Sequence, residues 1–337
     1  IRRILDQRPG LLRQRDDRQR TVLHLLGHVE ETGIIAFLNL IDGMDVDIEA
    51  GDMGGDRPLH HFVRRGFLRA DDWLLARSAD VNAKTQRGVT PLHLAMLLNR
   101  RTAAFLLDRG ADIDTEDAQG STPMTWALED GNLDVARMLW DRGARRTVFA
   151  AASLGETDDL AHRLDEQPAL LHARDGSGNT PLHRAAWNGQ EDAGRILLDR
   201  GAEIDARNHH GQTPLHLAVF RYAGLDFIKL LLRAGASIQA ADGCGRTPLY
   251  LAIMKSNAAK VGLRLANGAH PDEKDHEGKM PVELLLERAV DDEHARQWMI
   301  QNLSRFVRSF SADGLEVCKL LGMNHWPGAK DDRLPIG

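Results

Sequence analysis

The stretch Gly178-Asn-Thr-Pro-Leu-His183 recurs as Gly211-Gln-Thr-Pro-Leu-His216 and as Gly88-Val-Thr-Pro-Leu-His93. With the Thr position as origin, copies start at Thr21, Arg57, Thr90, Thr122, Arg146, Thr180, Thr213, Thr247 and Met280. The period is roughly 33 residues, and only the interval from Thr122 to Arg146 is much shorter. A unit of that length is too small to bury its own apolar face, so a chain built from it gains stability by stacking neighbours. A length of 337 residues ordinarily implies two or three globular domains; a repeat array needs no such division.

Each copy reads as a turn, two short antiparallel helices and an extended return. Thr before Pro suits a helix N-cap, its hydroxyl accepting an otherwise orphaned backbone N–H. Pro then takes the first helical position, where no N–H is needed. The second helix carries aliphatic runs such as Ile196-Leu197-Leu198 and Leu230-Leu231-Leu232 and ends on Gly201 or its equivalents, which accept a left-handed cap. Asp117 to Gly120 and Asp175 to Gly178 supply turn chemistry at the hairpin tips.

The hexapeptide is followed by Ala95, Ala185 and Ala218, and Gly-Ala closures stand at 110–111, 143–144, 201–202, 235–236 and 268–269. This pattern resembles the ankyrin repeat over roughly residues 1–290. The resemblance implies an all-α solenoid of paired antiparallel helices with short hairpin fingers and a binding surface on the concave groove. It also implies that His24, His60, His93, His183 and His216 are framework residues hydrogen-bonded within the fold.

Leu5 to Asp16 matches Leu164 to Asp175 at seven of twelve positions, at an offset of 159 that persists to Thr21/Thr180 and His24/His183. The array therefore reads as two similar halves, 1–144 and 145–290, the second continuous with the first through a kinked stack. In each half the first repeat ends in a Pro-containing loop, which places the chain start inside the second helix of a truncated repeat. The first residue is Ile1, which fits a trimmed or a processed start. At Gly143-Ala-Arg-Arg-Thr147 the spacing falls short of the period by the length of a hairpin, so the repeat starting at Arg146 is expected to lack its finger. Residues 291–337 are expected to form a helical cap and tail, with Trp298, Leu303, Phe306 and Phe310 at helical spacing and Trp326 packing on the array.

The formal charge is −6 with acidic and basic residues interleaved, which argues against a nucleic-acid binder. No apolar run approaches the roughly 20 residues a membrane-spanning helix needs, so none is expected. Cys244 and Cys318 make no disulfide framework. The default compartment is the cytoplasm, secretion or the periplasm staying open, and the expected state is a monomer. Lys accounts for only 8 of 43 basic residues, a bias that fits a GC-rich bacterial genome.

First-helix positions just after the Ala pair are free of stacking duty and face the groove. They include Arg64-Arg65, Leu97-Leu98, Ser153-Leu154, Trp187-Asn188, Phe220-Arg221 and Met254-Lys255, with Tyr222 beside the row. Trp187, Phe220 and Met254 match in three successive repeats; aromatics beside Arg are residue types that anchor interfaces. Hairpin tips add His209 and His210. Tips on neighbouring repeats lie about 8–10 Å apart, against zinc–ligand bonds of about 2 Å, so no metal site is expected there. His28, His60 and His61 with Asp52 and Asp56 form a conceivable acid–base cluster, for which ordinary surface polarity is the simpler account. No phosphate loop, nucleophile elbow or zinc motif is present, and neither a catalytic residue nor a cofactor is expected. The expected function is therefore a non-enzymatic module binding a protein or peptide in the groove. The alternative is an enzyme or small-molecule binder with a pocket near 143–147 or under the C-terminal segment.

Overall fold

The computed structural model describes residues 2–221, 224–255, 268–269, 273–279 and 281. Two compact units, residues 1–150 and 151–337, divide the chain. The described part of the first unit runs α1 (Arg2–Gln7), α2 (Val22–Leu26), α3 (Glu31–Leu40), α4 (Pro58–Val63), α5 (Leu68–Leu75), α6 (Pro91–Ala95), α7 (Arg100–Asp108), α8 (Pro123–Asp130) and α9 (Leu133–Asp141). Helix α10 (Val148–Leu154) spans the division. The second unit continues with α11 (Thr157–Glu166), α12 (Pro181–Asn188), α13 (Glu191–Asp199), α14 (Pro214–Phe220), α15 (Leu225–Arg233) and α16 (Pro248–Met254). Among the described residues there is no strand. The expected C-terminal cap, with Trp298, Leu303, Phe306, Phe310 and Trp326, lies outside the described residues, as do Tyr222, Met280 and Cys318.

The local grammar is the expected one. Pro occupies the start of α4, α6, α8, α12, α14 and α16, and the hydroxyls of Thr90, Thr122, Thr180 and Thr247 accept the N–H three residues on. First helices pack on first helices, α2 on α4, α4 on α6 and α6 on α8, and in the second unit α12 on α14 and α14 on α16. Second helices do likewise, α3 on α5, α7 on α9, α11 on α13 and α13 on α15. The core between these layers is made of small and aliphatic side chains such as Ala95, Leu106, Leu139, Ala185, Leu197, Ala218 and Leu231, all fully buried. Both Pro-containing loops predicted by the match between the halves form short 3-10 turns, Pro9–Arg13 and Pro168–His172.

Fingers are tied to one another by backbone. Met53 N–H donates to Arg18 O, Gln86 N–H to Gly54 O and Ala118 N–H to Arg87 O, at 2.8–3.0 Å. In the second unit His209, Gly243 and His276 donate in the same way to Ser177, His210 and Cys244. Between α9 and α10 there is no finger: Gly143 and Ala144 lead through three residues into Val148. The structure corrects the origin of that repeat by one position. Thr147, not Arg146, plays the N-cap part, its Oγ1 accepting Ala150 N–H at 3.1 Å. The positions matching Trp187-Asn188 are therefore Leu154-Gly155, not Ser153-Leu154, and Ser153 and Leu154 are both buried.

Candidate partner-binding site

The five motif histidines are fully buried and make one repeated pattern. The backbone N–H of the N-cap residue donates to Nδ1 of His24, His60, His93, His183 and His216 at 3.0–3.2 Å. An accepting Nδ1 carries no proton, so Nε2 does, and it donates to a carbonyl of the following finger. The acceptors are Asp56, Val89, Ser121, Gln212 and Arg246, at 2.9–3.2 Å. The imidazoles are thereby held neutral, and burial pushes the pKa of His60 and of His183 down to about 4. Three described repeats depart from His, at Thr125, Ala150 and Tyr250. Tyr250 reaches forward in its place, donating to Asp275 Oδ2 at 2.7 Å. Thr125 precedes the repeat that has no finger and hence no such acceptor, and its short hydroxyl pairs with Thr122 Oγ1 at 3.2 Å instead.

A second series explains the acid–base cluster. Each finger Asp accepts backbone N–H groups two and four residues on through Oδ1, as Asp52 does from Gly54 and Asp56. For Asp16 and Asp242 the Oδ2 takes the Arg four residues on, and for Asp275 it takes Tyr250; for the other three it takes a donor nine residues further along, on the first helix. That donor is His61 for Asp52 at 3.2 Å, Trp126 Nε1 for Asp117 at 2.9 Å, and Arg184 Nε for Asp175 at 2.6 Å. The His61–Asp52 pair is thus one variant of a finger latch that Trp and Arg also perform. His61 meets His24 edge-on at 5.2 Å, and His60 points away into the core with the other framework imidazoles. The Asp-plus-nine offset shared by these three pairs is the sequence signal for this latch.

The row at the ends of α12, α14 and α16 is assembled as the spacing suggests. Trp187 and Phe220 are half-buried, and Met254 is 36 % exposed. The rings of Trp187 and Phe220 stack with centroids 6.3 Å apart and planes inclined by 18°. The cations do not merely flank the rings. Arg221 Cζ lies 4.3 Å from the Trp187 centroid, and Lys255 Nζ lies 4.1 Å from that of Phe220. Each aromatic is therefore covered by the cation of the next repeat, an arrangement worth roughly 0.5–1 kcal/mol per pair at exposed sites. The Nε1 of Trp187 is buried without a hydrogen-bond partner. Asn188 is half-buried and donates through Nδ2 to Arg184 O at 3.3 Å.

His209 and His210 are exposed on their finger, with the His209 ring lying over Gly178 of the preceding one. In the first unit Arg64 and Arg65 are exposed; Arg64 pairs with Asp56 at 2.7 Å, and Arg65 sits 5.5 Å over the Phe67 ring. Near 143–147 the polar groups are engaged locally. Arg145 pairs with Glu116 at 2.7 Å, its N–H donates to Asp114, and Arg146 covers the Trp140 ring.

The family profile described as Ankyrin repeats (3 copies) matches in overlapping windows, residues 23–117, 59–150, 115–208, 148–242 and 201–275. Together they cover well over half of the chain. The chain belongs to the ankyrin-repeat family. No curated protein matches it. Ankyrin repeats are generally protein–protein interaction modules, and among the described residues of this one no helix is long and apolar enough to cross a membrane. Within an ankyrin repeat of this chain, the latched finger and the His bridge are shared framework. The row from Trp187 to Lys255 and the arginines of the first unit are what individualise the surface.

Proposed function

We propose that this ankyrin-repeat protein is a non-enzymatic module that holds a protein or peptide partner in the groove lined by first-helix ends and fingers. Trp187, Phe220 and Met254 are the anchors, Asn188, Arg221 and Lys255 their polar rim, and His209 and His210 the contacts from a finger. Arg64 and Arg65 make a separate contact set in the first unit. The observation that carries the reading is the Trp187–Phe220 stack, left half-exposed beneath two cations. Stacking between repeats does not require that pair of rings: the equivalent position in an earlier repeat is Leu97, 50 % exposed. Aromatic anchors beside Arg suit a partner segment with one large apolar side chain next to acidic groups, which the cations meet as they tilt off the rings.

The test is selection from a displayed random-peptide library on the full chain. Enriched peptides are expected to carry an aromatic or long aliphatic residue beside Asp or Glu. Trp187→Ala, checked by circular dichroism for an unchanged fold, is expected to weaken them about 30-fold, the equivalent of about 2 kcal/mol. Peptides that bind Trp187→Ala and Phe220→Ala as tightly as the parent overturn the reading.

A further inference from the structure

The first unit holds a cleft of about 520 Å³ whose walls carry four arginines, Arg18, Arg20, Arg64 and Arg65. The chain as a whole carries a formal charge of −6, so this concentration of guanidinium groups runs against its overall balance. Local pairing does not cancel it. Arg20 is paired with Asp16 at 2.8 Å and Arg64 with Asp56 at 2.7 Å. Arg18 and Arg65 have no carboxylate partner among the described residues. The one carboxylate in the lining, Asp52, accepts two backbone N–H groups and pairs with His61, so the four guanidinium groups face three carboxylates, Asp16, Asp52 and Asp56. A surplus of positive charge is left facing the cleft, on side chains whose planar forks match carboxylate and phosphate oxygens.

Position and shape narrow the ligand. The cleft lies between finger residues, Arg18, Arg20 and Asp52 to Gly54, and the ends of the first helices, Gly27-His28 and Arg64-Arg65. Its lip carries Met53, 62 % exposed, an apolar surface beside the cations. A nucleic acid would bring many phosphates against a net-negative protein that offers four arginines and no extended basic track. A short acidic stretch of polypeptide needs no more than this cleft supplies.

We propose that this cleft is a second binding site, for a peptide segment that presents a doubly anionic group: two adjacent carboxylates or one phosphorylated side chain. It rests on the reading of the chain as a protein-binding module but uses none of the residues of the Trp187 row. Arg18 and Arg65 make the new ion pairs. Arg20 and Arg64, held in place by their own carboxylates, offer their remaining N–H donors. Met53 packs against an apolar neighbour of the anionic residue.

The experiment is fluorescence polarisation of the full chain with labelled ten-residue peptides at 50 and 200 mM salt. The peptides contain Glu-Glu-Leu, phosphoserine-Leu or the neutral Gln-Gln-Leu, and a single-stranded oligonucleotide of similar length is run beside them. Binding of at least one anionic peptide is expected, ten times tighter than the neutral one and weakened by salt; which anionic peptide leads separates the carboxylate from the phosphate source. Arg18→Ala with Arg65→Ala is expected to lower that affinity at least tenfold, while Trp187→Ala leaves it unchanged. On the parent protein, amide NMR shifts at Gly27, Gly54 and Arg65 are expected to move on titration, a readout that needs no variant. Equal binding of the neutral peptide, no binding, tighter binding of the oligonucleotide, or shifts confined to the Trp187 row each overturn the proposal. Loss of binding in Trp187→Ala alone would count against this cleft and for the other site.

Discussion

The ring of Phe227 on α15 rests against the bare Cα of Gly194 in the middle of α13. A Cβ at Gly194 would stand 2.6 Å from Cε2 and 2.8 Å from Cζ of that ring. Glycine inside a helix normally costs about 1 kcal/mol relative to Ala. Overpacking a tight core costs about 1–3 kcal/mol. The clash outweighs the propensity gain, so Gly194→Ala is expected to destabilise the protein despite improving the helix. Phe227→Leu is expected to relieve it. Urea denaturation of the two single variants and the double variant is expected to give a coupling of about 0.5 kcal/mol or more. Simple additivity would show that the contact does not dictate the glycine.

Gln19 and Ser78 have left-handed backbones, with φ of 61° and 66°. Sister repeats put Gly there, for example Gly178 at a finger and Gly110 after a second helix. The left-handed conformation costs a side-chain-bearing residue about 1–2 kcal/mol, and glycine's extra freedom in the unfolded chain returns about 0.5–1 kcal/mol of that. Gln19→Gly and Ser78→Gly are each expected to raise stability by about 0.5–1 kcal/mol, seen as a small rise in melting temperature for each and an additive rise together.

The buried imidazoles make stability depend on pH. The folded pKa values of His60 and His183, about 4, lie below the ordinary value of 6.5. The unfolded chain therefore binds more protons than the folded one between these values. Their contribution is fully present above pH 6.5 and is lost as pH falls through about 4. Imidazole NMR titrations are expected to show both rings neutral down to about pH 4. Removing His183 is expected to cost about 1–2 kcal/mol at pH 7 through its lost hydrogen bonds and packing, and to flatten the melting curve's dependence on acid.

Asp71 is fully buried on α5, and neither carboxylate oxygen has a hydrogen-bond partner. Sister helices have Ala103 and Ala136 at this place. Burial, aided by the nearby Glu31, raises its pKa well above 3.8. The sign is opposite to that of the histidines. The contribution of Asp71 is greatest below the unfolded carboxylate pKa and declines as pH rises toward the folded value. Asp71→Ala is expected to stabilise the protein at pH 7 by about 1 kcal/mol or more, the cost of an unmet buried polar group, with the gain shrinking toward pH 4. An unchanged or lower stability at pH 7 would contradict the burial.

Much of this architecture was legible because it is local or periodic. Thr-Pro reports an N-cap within a single turn, and the constant offset between the halves carried both 3-10 turns. The missing finger followed from a count, but its register did not, because Arg146 and Thr147 serve equally well as origins until a hydroxyl is seen to accept Ala150 N–H. The row of Trp187, Phe220 and Met254 was readable from spacing. That Arg221 and Lys255 lie over the rings was not, since it depends on how far two long side chains fold back across the neighbouring repeat. Arg18 and Arg20 carry no such signal in the sequence. They precede the motif in their own repeat and meet Arg64 and Arg65 only through the stacking of fingers.

Every motif imidazole reaches in one direction, toward the finger that follows it in the chain. Trimming from the C-terminal side strands a buried N–H with nothing to receive it, whereas trimming from the N-terminal side frees only a carbonyl, a group with a second lone pair that water can reach. During synthesis the same polarity makes each His-bearing repeat wait for its successor: His24 has no acceptor until Asp56 has left the ribosome, nor His183 until Gln212 has. A His-bearing repeat of the nascent chain therefore completes its bridge one repeat behind the point of exit.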